Sequence, residues 1–227
     1  MPKLIIFDLD GTLLNTIEDL GTAVNHTLEA HGLPVHTLDS YKMRVGRGMR
    51  NLVKASLPSD LQGDDFIDRF LGEFLEYYMG HIDSATLPYP GIVELVRNLD
   101  REGNRLAVAS NKMQAGTERL ISKFFPGIPF VAVCGNSPSF PLKPDPELIR
   151  YIIGKAGSAG TAGAAETLHP EDCVMVGDSD IDIRTARGAG IPVIAVAWGF
   201  RPVSDLQDAD HIATSIPELA SLLRRHG

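Results

Sequence analysis

The sequence has little of several features that mark particular classes of protein. It contains two cysteines, Cys134 and Cys173, and both stand in short apolar runs. We therefore expect two buried thiols in strands, and neither a disulfide framework nor a zinc site. No apolar run approaches the roughly 20 residues of a membrane span, and the run at 4–7 is too short for the core of a signal peptide. The expected location is the cytoplasm, with no membrane partner.

An excess of positive charge is also lacking. The chain has 21 lysine and arginine residues against 29 aspartate and glutamate residues, and its formal net charge is −8. This balance argues against nucleic acid as the main partner, and an anionic substrate would have to be held by a local site. The 227 residues, 44% of them hydrophobic, suffice for one large domain or for a domain with a smaller companion. The expected oligomeric state is a monomer or a homodimer.

Short apolar runs alternate with helical patterns along most of the chain. Near-continuous apolar runs are typical of strands that are covered on both faces, and they occur at 3–9, 105–110, 130–135, 173–177 and 192–198. Helical patterns occupy 92–103, 117–125, 146–157, 180–190 and 217–227. This alternation predicts an α/β fold with a doubly wound parallel sheet, a Rossmann-like core. The small, low-complexity stretch at 154–166 predicts a flexible surface loop.

Residues 16–87 interrupt this alternation. The stretch 16–32 has a helical period, and 66–82 forms a second amphipathic pattern with an aromatic stripe that we interpret as core packing. No strand signal is present between them. We therefore expect a helical cap domain at 16–87, inserted after the first strand of a core domain formed by 1–15 and 88–227.

Carboxylates and other polar side chains follow several of the predicted strands. Asp8 and Asp10 follow the first strand, Ser110 ends the second, and Asp178 follows the strand at 173–177. Ligands of open α/β sheets bind beyond the carboxyl ends of the strands, so we expect these side chains to converge. Carboxylates that converge repel one another unless a hard cation binds between them, and Mg²⁺ prefers such oxygen ligands.

A phosphate-bearing substrate would need further donors at this edge. Ser110 offers a hydroxyl, and the turn after Asp8 offers backbone N–H groups. Lys143 offers an ammonium group just before a helix whose first turn we place at 144–146. Asp8 could attack phosphorus, while Asp10 could protonate the leaving alcohol and then deprotonate a water. The set predicts a site for phosphoryl transfer.

Four motifs carry a family resemblance. "DLDGTLLNT", "SNK", "LKPDP" and "GDSDID" stand in this order, and with them most of the chain resembles the haloacid dehalogenase superfamily of phosphohydrolases. The resemblance implies that Asp8 is the nucleophile and Asp10 the general acid and base. It also implies that Ser110 and Lys143 bind the phosphoryl group.

The resemblance further implies a magnesium site and a phosphate site. Mg²⁺ would bind Asp8, the main-chain carbonyl of Asp10, and Asp178, while Asp182 would stand behind these ligands or join them occasionally. The residues expected around the phosphate, beyond those already named, are Gly11, Thr12 and Asn111.

Two further stretches, 45–53 and 196–202, are similar to those of phosphoglycolate phosphatases. They imply a small phosphorylated metabolite as the substrate, and 2-phosphoglycolate in particular. The helical insertion resembles the cap of the family, which closes over the site and excludes water. We interpret 45–53 as a cap loop, from which Arg47 could bind a substrate carboxylate or lie in solvent.

Other functions are compatible with parts of this pattern. A sugar phosphomutase of the same superfamily would retain the phosphoryl group and return it to a second position on the sugar. A phospho-acceptor signalling module also combines aspartates, a hydroxyl and a lysine around Mg²⁺, but it lacks a helical cap. Hydrolysis of a carbon–halogen bond is disfavoured, because it would not need Asp10 and a metal-binding aspartate.

Overall fold

Six parallel strands form one sheet in the computed structural model, which describes residues 3–158 and 167–225. The strands of this part of the chain are β1 (Leu4–Phe7), β2 (Leu14–Asn15), β3 (Leu87–Pro88), β4 (Arg105–Met113), β5 (Phe130–Asn136), β6 (Cys173–Gly177), β7 (Val193–Val196) and β8 (His211–Ala213). β2 and β3 pair antiparallel as a short separate ribbon. The large sheet has the order β5-β4-β1-β6-β7-β8.

Helices cover both faces of this sheet. The α-helices of the described residues, of which the first four belong to an insertion between β2 and β3, are α1 (Ile17–Ala30), α2 (Leu38–Tyr41), α3 (Met49–Ser56), α4 (Asp64–His81), α5 (Ile92–Arg101), α6 (Gln114–Phe124), α7 (Glu147–Ser158), α8 (Asp180–Ala189) and α9 (Ile216–Arg225). Ile5 and Phe7 of β1 pack in one cluster with apolar residues of α5, α6 and α9. Leu4 and Ile6 pack on the other face with residues of α7 and α8. Because successive strand side chains point to opposite faces, β1 is buried on both sides, as are β6 and β7, and the doubly wound α/β fold is confirmed.

The strand order reverses direction at β1. This strand pairs in parallel with β4 on one side and with β6 on the other. Phe7 stands level with Val108 of β4 and with Val176 of β6, so the chain leaves these strands close together. Such a switch point at the carboxyl ends of the strands is where open α/β sheets bind ligands.

Helices α1–α4 form an insertion between β2 and β3. The aromatic stripe of α4 packs as predicted, since Phe70, Phe74 and Tyr78 are fully buried. Their cluster is continuous with Phe7 of the sheet. The assignment of 16–87 as a separate cap domain stays a prediction.

The structure corrects several local predictions. Residues 45–53 form a loop only up to Gly48, and helix α3 begins at Met49. The helix forms here because the buried side chains of α3 recur at helical spacing. Helix α7 begins at Glu147, so the prolines at 144 and 146 precede it, and the Asp145 carboxylate accepts a bond from the Glu147 N–H. Strand β8 was not predicted, because its three residues are too few to show a pattern.

Three smaller expectations also change. The stretch 154–166 is not a loop throughout: residues up to Ser158 complete α7, and the remainder lies outside the described residues. Cys173 is buried at the start of β6, but Cys134 is only half-buried in β5. Among the described residues, no helix has the length and apolarity that crossing a membrane requires.

Candidate active site

Polar side chains meet where β1, β4 and β6 end. β1 ends at Phe7, before the predicted boundary, and Asp8 and Asp10 follow it. Asp178 stands one residue beyond the end of β6. Both Asp8 and Asp178 are nearly inaccessible to solvent, with 7% and 3% of their surface exposed. A carboxylate is buried to this degree only when charge or hydrogen bonds compensate it.

The sequence predicts that the second strand ends at Ser110. In the structure this strand, β4, continues to Met113. Its register with β5 shifts between Ala109 and Met113. In a regular strand, neighbouring side chains point to opposite faces of the sheet. A bulge or other irregularity in a strand can change the direction in which its side chains point. As a result, Ser110, Asn111 and Lys112 all line one cavity.

Asp8 lies in an ion-pair network with Lys143. The Lys143 Nζ is 2.8 Å from Asp8 Oδ1 and 2.7 Å from Asp182 Oδ1. Burial raises the pKa of Asp8 to about 7, and the opposing charge of Lys143 limits this rise. Burial alone would lower the pKa of Lys143, but Asp182 and Asp8 overcome this and raise it above its ordinary value. Lys143 therefore carries a positive charge beside a carboxylate that can titrate near neutral pH.

Asp178 is enclosed by backbone. Its Oδ2 accepts a 2.6 Å hydrogen bond from the Phe200 N–H. A Cβ at Gly11 or at Gly199 would overlap the Asp178 side chain, so both positions require glycine for this close approach. Gly11 also has a φ of +87°, which favours glycine. Burial, together with the charges of Asp182 and Asp8, raises the pKa of Asp178 well above its ordinary range.

Asp8, Asp178 and Asp182 form a buried acidic cluster that fits a hard cation. Each offers a carboxylate oxygen, and these oxygens lie within 4.8 Å of one another. Among the hydrogen bonds of the described residues, Asp8 and Asp178 each keep one oxygen without a partner. Asp182 keeps none, because Lys143 bonds its Oδ1 and Ser179 bonds its Oδ2. Asp8 and Asp178 are therefore the side chains best placed to hold Mg²⁺.

Asp10 forms an ion pair with a second lysine, Lys112. The Nζ of Lys112 donates to Asp10 Oδ1 at 2.9 Å and to the Tyr78 hydroxyl at 2.6 Å. Tyr78 belongs to α4 of the insertion, so this contact joins the insertion to the sheet. Lys112 is the last residue of the "SNK" motif and Tyr78 lies in the aromatic stripe predicted for 66–82, but no local pattern in the sequence predicts their contact.

Two core residues hold the loop that precedes α3. Asn111 Nδ2 donates to the carbonyls of Gly46 and Lys143, both at 2.9 Å. The guanidinium of Arg201 donates to the carbonyl of Lys42, and to that of Val45 at 2.7 Å. Both ends of the Asn111 amide are in use, because its Oδ1 accepts from the Lys143 N–H.

The cavity has two chemically different sides. We name the side from the sheet and its loops the floor; it comprises Asp8, Asp10, Ser110, Asn111, Lys112, Lys143, Asp178, Ser179, Ile181, Asp182, Phe200 and Arg201. We name the side from the insertion the roof; it comprises Leu20, Val45, Gly46, Gly48, Met49 and Leu52. The floor thus holds every charged side chain that lines the cavity in the described part of the chain.

Some predicted site residues lie outside this lining. Arg47 does, since 61% of its side chain is exposed and its nearest charged partner is Asp180 at 3.8 Å. Gly11 and Thr12 do as well, and their N–H groups donate to the carbonyls of Leu14 and Leu9. Phosphate binding by Gly11 and Thr12, and carboxylate binding by Arg47, stay predictions.

Comparison with known proteins identifies close similarities over nearly the whole chain. The family model described as haloacid dehalogenase-like hydrolase matches residues 5–196. The phosphoglycolate phosphatase of Mesorhizobium japonicum is 34% identical over 98% of this chain and 96% of its own length. That of Agrobacterium fabrum is 36% identical over 89% of this chain and 84% of its own length. A crystal structure from Lactobacillus delbrueckii subsp. bulgaricus superposes with a TM-score of 0.87 at 31% identity, covering 98% of this chain and 99% of that one.

Proposed function

Because the chain belongs to the haloacid dehalogenase-like hydrolases, we propose that it is a Mg²⁺-dependent phosphatase that hydrolyses a small phosphomonoester through an aspartyl phosphate on Asp8. A phosphatase is the enzyme class to which its curated relatives belong. The observation that carries the proposal is the pairing on the floor of the cavity. Asp8 is bonded to Lys143, and Asp10 is bonded to Lys112.

Asp8 is the group that attacks phosphorus. Its carboxylate lies on the floor of the cavity with one oxygen bonded to Lys143, and there it can form a bond to phosphorus as the bond from phosphorus to the alcohol oxygen breaks. The same ammonium group of Lys143 can accompany the negative charge of the phosphoryl oxygens as they approach. When bound, Mg²⁺ supplies further positive charge for the carboxylates and the phosphate, and Asp8 and Asp178 are the side chains that would hold it.

Asp10 handles the proton in both halves of the reaction. It gives a proton to the oxygen of the departing alcohol, and it later takes one from the water that hydrolyses the aspartyl phosphate. Ser110, which is 2% exposed and lines the floor, offers a hydroxyl to the phosphoryl group. Asn111 instead uses its amide to hold the backbone of Gly46 and Lys143, and so positions the lysine.

The proposed substrate is 2-phosphoglycolate. Two relatives that match nearly the full chain are named for this activity. The cavity between the floor and the roof has an empty volume of about 530 Å³, which suits a small ligand rather than a macromolecule. The carboxylate would be recognised by an arginine. Arg47 is the residue predicted for this role, and Arg201 is the arginine that lines the cavity.

A panel of phosphomonoesters, assayed with and without Mg²⁺, tests the proposal. We expect release of inorganic phosphate from 2-phosphoglycolate that needs Mg²⁺ and falls at least about 10³-fold in Asp8→Asn. Asp208→Asn is the matched control, because Asp208 is exposed and lies outside the cavity lining. Its activity should stay near that of the wild type.

Two outcomes would overturn the proposal. One is no turnover of any phosphomonoester, and the other is turnover that Asp8→Asn leaves intact. Conversion of a sugar 1-phosphate to its 6-phosphate without release of phosphate would establish the phosphomutase alternative instead.

A further inference from the structure

A buried lysine joins the insertion to Asp10. The side chain of Lys112 is fully buried, and its Nζ bonds both Asp10 Oδ1 and the Tyr78 hydroxyl. Tyr78 is itself fully buried, and Lys112 also lies 5.0 Å from the centre of its ring. A buried ammonium group is costly unless charge and hydrogen bonds compensate it, and here a carboxylate and a hydroxyl do so.

The lysine retains its charge in this position. Burial alone would lower the pKa of Lys112, but the neighbouring Asp10 and Tyr78 raise it above its ordinary value. Burial also raises the pKa of Tyr78, so its hydroxyl stays protonated and accepts the lysine hydrogen through its oxygen. The contact to Asp10 is therefore a charge-assisted hydrogen bond, which fixes direction more firmly than a neutral one.

This contact makes the two carboxylate oxygens of Asp10 inequivalent. Oδ1 is taken by Lys112, whereas Oδ2 has no hydrogen-bond partner among the described residues. Asp10 and Lys112 both line the cavity, on the same floor as Asp8. With Oδ1 held in place, Oδ2 is the oxygen that remains for the substrate.

Lys112 and Lys143 bind different side chains. Lys143 bonds Asp8 and Asp182, while Lys112 bonds Asp10 and a tyrosine from the insertion. Only Lys143 contacts the proposed nucleophile. A loss at Lys112 should therefore affect the step that needs Asp10 and spare the attack by Asp8.

We propose that Lys112, itself held by Tyr78, is a positioning residue that fixes the Asp10 carboxylate so that its second oxygen meets the leaving group. This inference rests on the proposed function and assigns a role to two residues outside the motifs' expected catalytic set. Through Tyr78 and Lys112, the insertion would help to position the Asp10 carboxylate, in addition to lining the cavity.

The dependence of kcat/KM on the leaving group tests this role. An alkyl phosphate such as 2-phosphoglycolate needs a proton on its departing oxygen, whereas p-nitrophenyl phosphate does not. We expect Lys112→Met to lower kcat/KM for the alkyl substrate by roughly 10²-fold and to lower it much less for the aryl substrate. Asp10→Asn should show the same bias, and adding Lys112→Met to it should cause little further loss.

Tyr78→Phe keeps the test decisive if Lys112→Met does not fold. It removes one hydroxyl and should give the same leaving-group bias at a smaller size, about three- to tenfold. Tyr77→Phe is the matched control, since this neighbour in α4 stacks on His26 and His81 and lies outside the cavity lining. Its ratio of the two kcat/KM values should equal that of the wild type.

The outcomes separate the two proposals. If the wild type hydrolyses both substrates, but Lys112→Met and Tyr78→Phe lower both kcat/KM values equally, the positioning role is overturned and the phosphatase assignment stands. If the wild type hydrolyses no phosphomonoester of the panel, these two substrates included, the phosphatase assignment fails and the positioning role fails with it.

Discussion

The floor and the roof of the cavity differ in kind. The floor carries four carboxylates and three cations, and most of them are bonded to one another. The roof, from the insertion, presents apolar side chains and the backbone of two glycines. The floor can therefore bind charge and move protons, whereas the roof can exclude water and restrict the shape of the leaving group. This difference predicts that substitutions on the two sides will have different kinetic signatures.

Among the basic residues that pair with the carboxylates of the floor, Lys143 is expected to show the largest effect. Lys143→Met leaves Asp8 and Asp182 buried without their shared cation, which should lower kcat by about 10²-fold or more. Breaking a buried ion pair should also lower the free energy of unfolding by about 3–5 kcal/mol. Steady-state kinetics and urea denaturation measure the two effects. Lys155→Met, on the exposed side of α7, is the control. An unfolding midpoint that equals that of the control would contradict the network as described.

The acidic cluster should make metal binding depend on pH. In the metal-free protein, burial raises the pKa of Asp8 from its ordinary value of 3.8 to about 7, so the contribution of Asp8 to stability is present at low pH and is lost as the pH rises through about 7. Mg²⁺ binds the ionised carboxylates and should restore this loss. We expect Mg²⁺ to raise the Tm more near pH 8 than near pH 5, and Asp8→Asn to reduce this difference. Equal shifts at both pH values would contradict the assignment.

A smaller effect is expected on the roof at Met49. Met49→Ala enlarges the space above the floor without touching a charged group, because Met49 lines the cavity from the start of α3. The ratio of kcat/KM for a bulkier phosphomonoester to that for 2-phosphoglycolate should rise a few-fold. Met43→Ala is the control, since Met43 also lies in the insertion but is 59% exposed. A roof variant that lowers kcat for all substrates alike would remove the distinction between the two sides.

The smallest effect is expected at Arg47. Its exposed pair with Asp180 should contribute about 0–1 kcal/mol to stability. Arg47→Met should therefore change the Tm little, and it should raise KM for 2-phosphoglycolate less than Arg201→Met, because Arg201 lines the cavity. Measuring KM for a substrate without the carboxylate controls for general damage. A larger increase in KM for Arg47→Met than for Arg201→Met would indicate that Arg47, from the insertion, binds the substrate carboxylate.

Some of this arrangement could be predicted from the sequence because its signals are local. The strand at 173–177 is apolar at nearly every position, since it is buried on both faces, and β6 has these bounds. Asp8, Asp10 and Asp178 stand directly after strands, and parallel strands bring such positions to one edge. The predicted fold followed from these two rules.

Other parts could not be predicted because they depend on distant partners. Lys112 bonds Asp10 from 102 positions away and Tyr78 from 34, so no short pattern marks the trio. The "SNK" triplet suggested a donor at Ser110, but the irregularity of β4 that turns Lys112 towards the cavity has no sequence signal. Helix α3 was not predicted because two glycines precede it, and glycines are typical of loops. Both glycines have positive φ in the structure, and the helix begins directly after the second.

A burst experiment with Asp10→Asn tests the central claim most directly. In this variant p-nitrophenyl phosphate can still phosphorylate Asp8, because its leaving group needs no proton, while hydrolysis of the aspartyl phosphate lacks its base. We predict a rapid release of p-nitrophenol, stoichiometric with the enzyme, and a phosphoryl label that peptide mapping locates at Asp8. Rapid release of p-nitrophenol without any protein-bound phosphate would contradict the account.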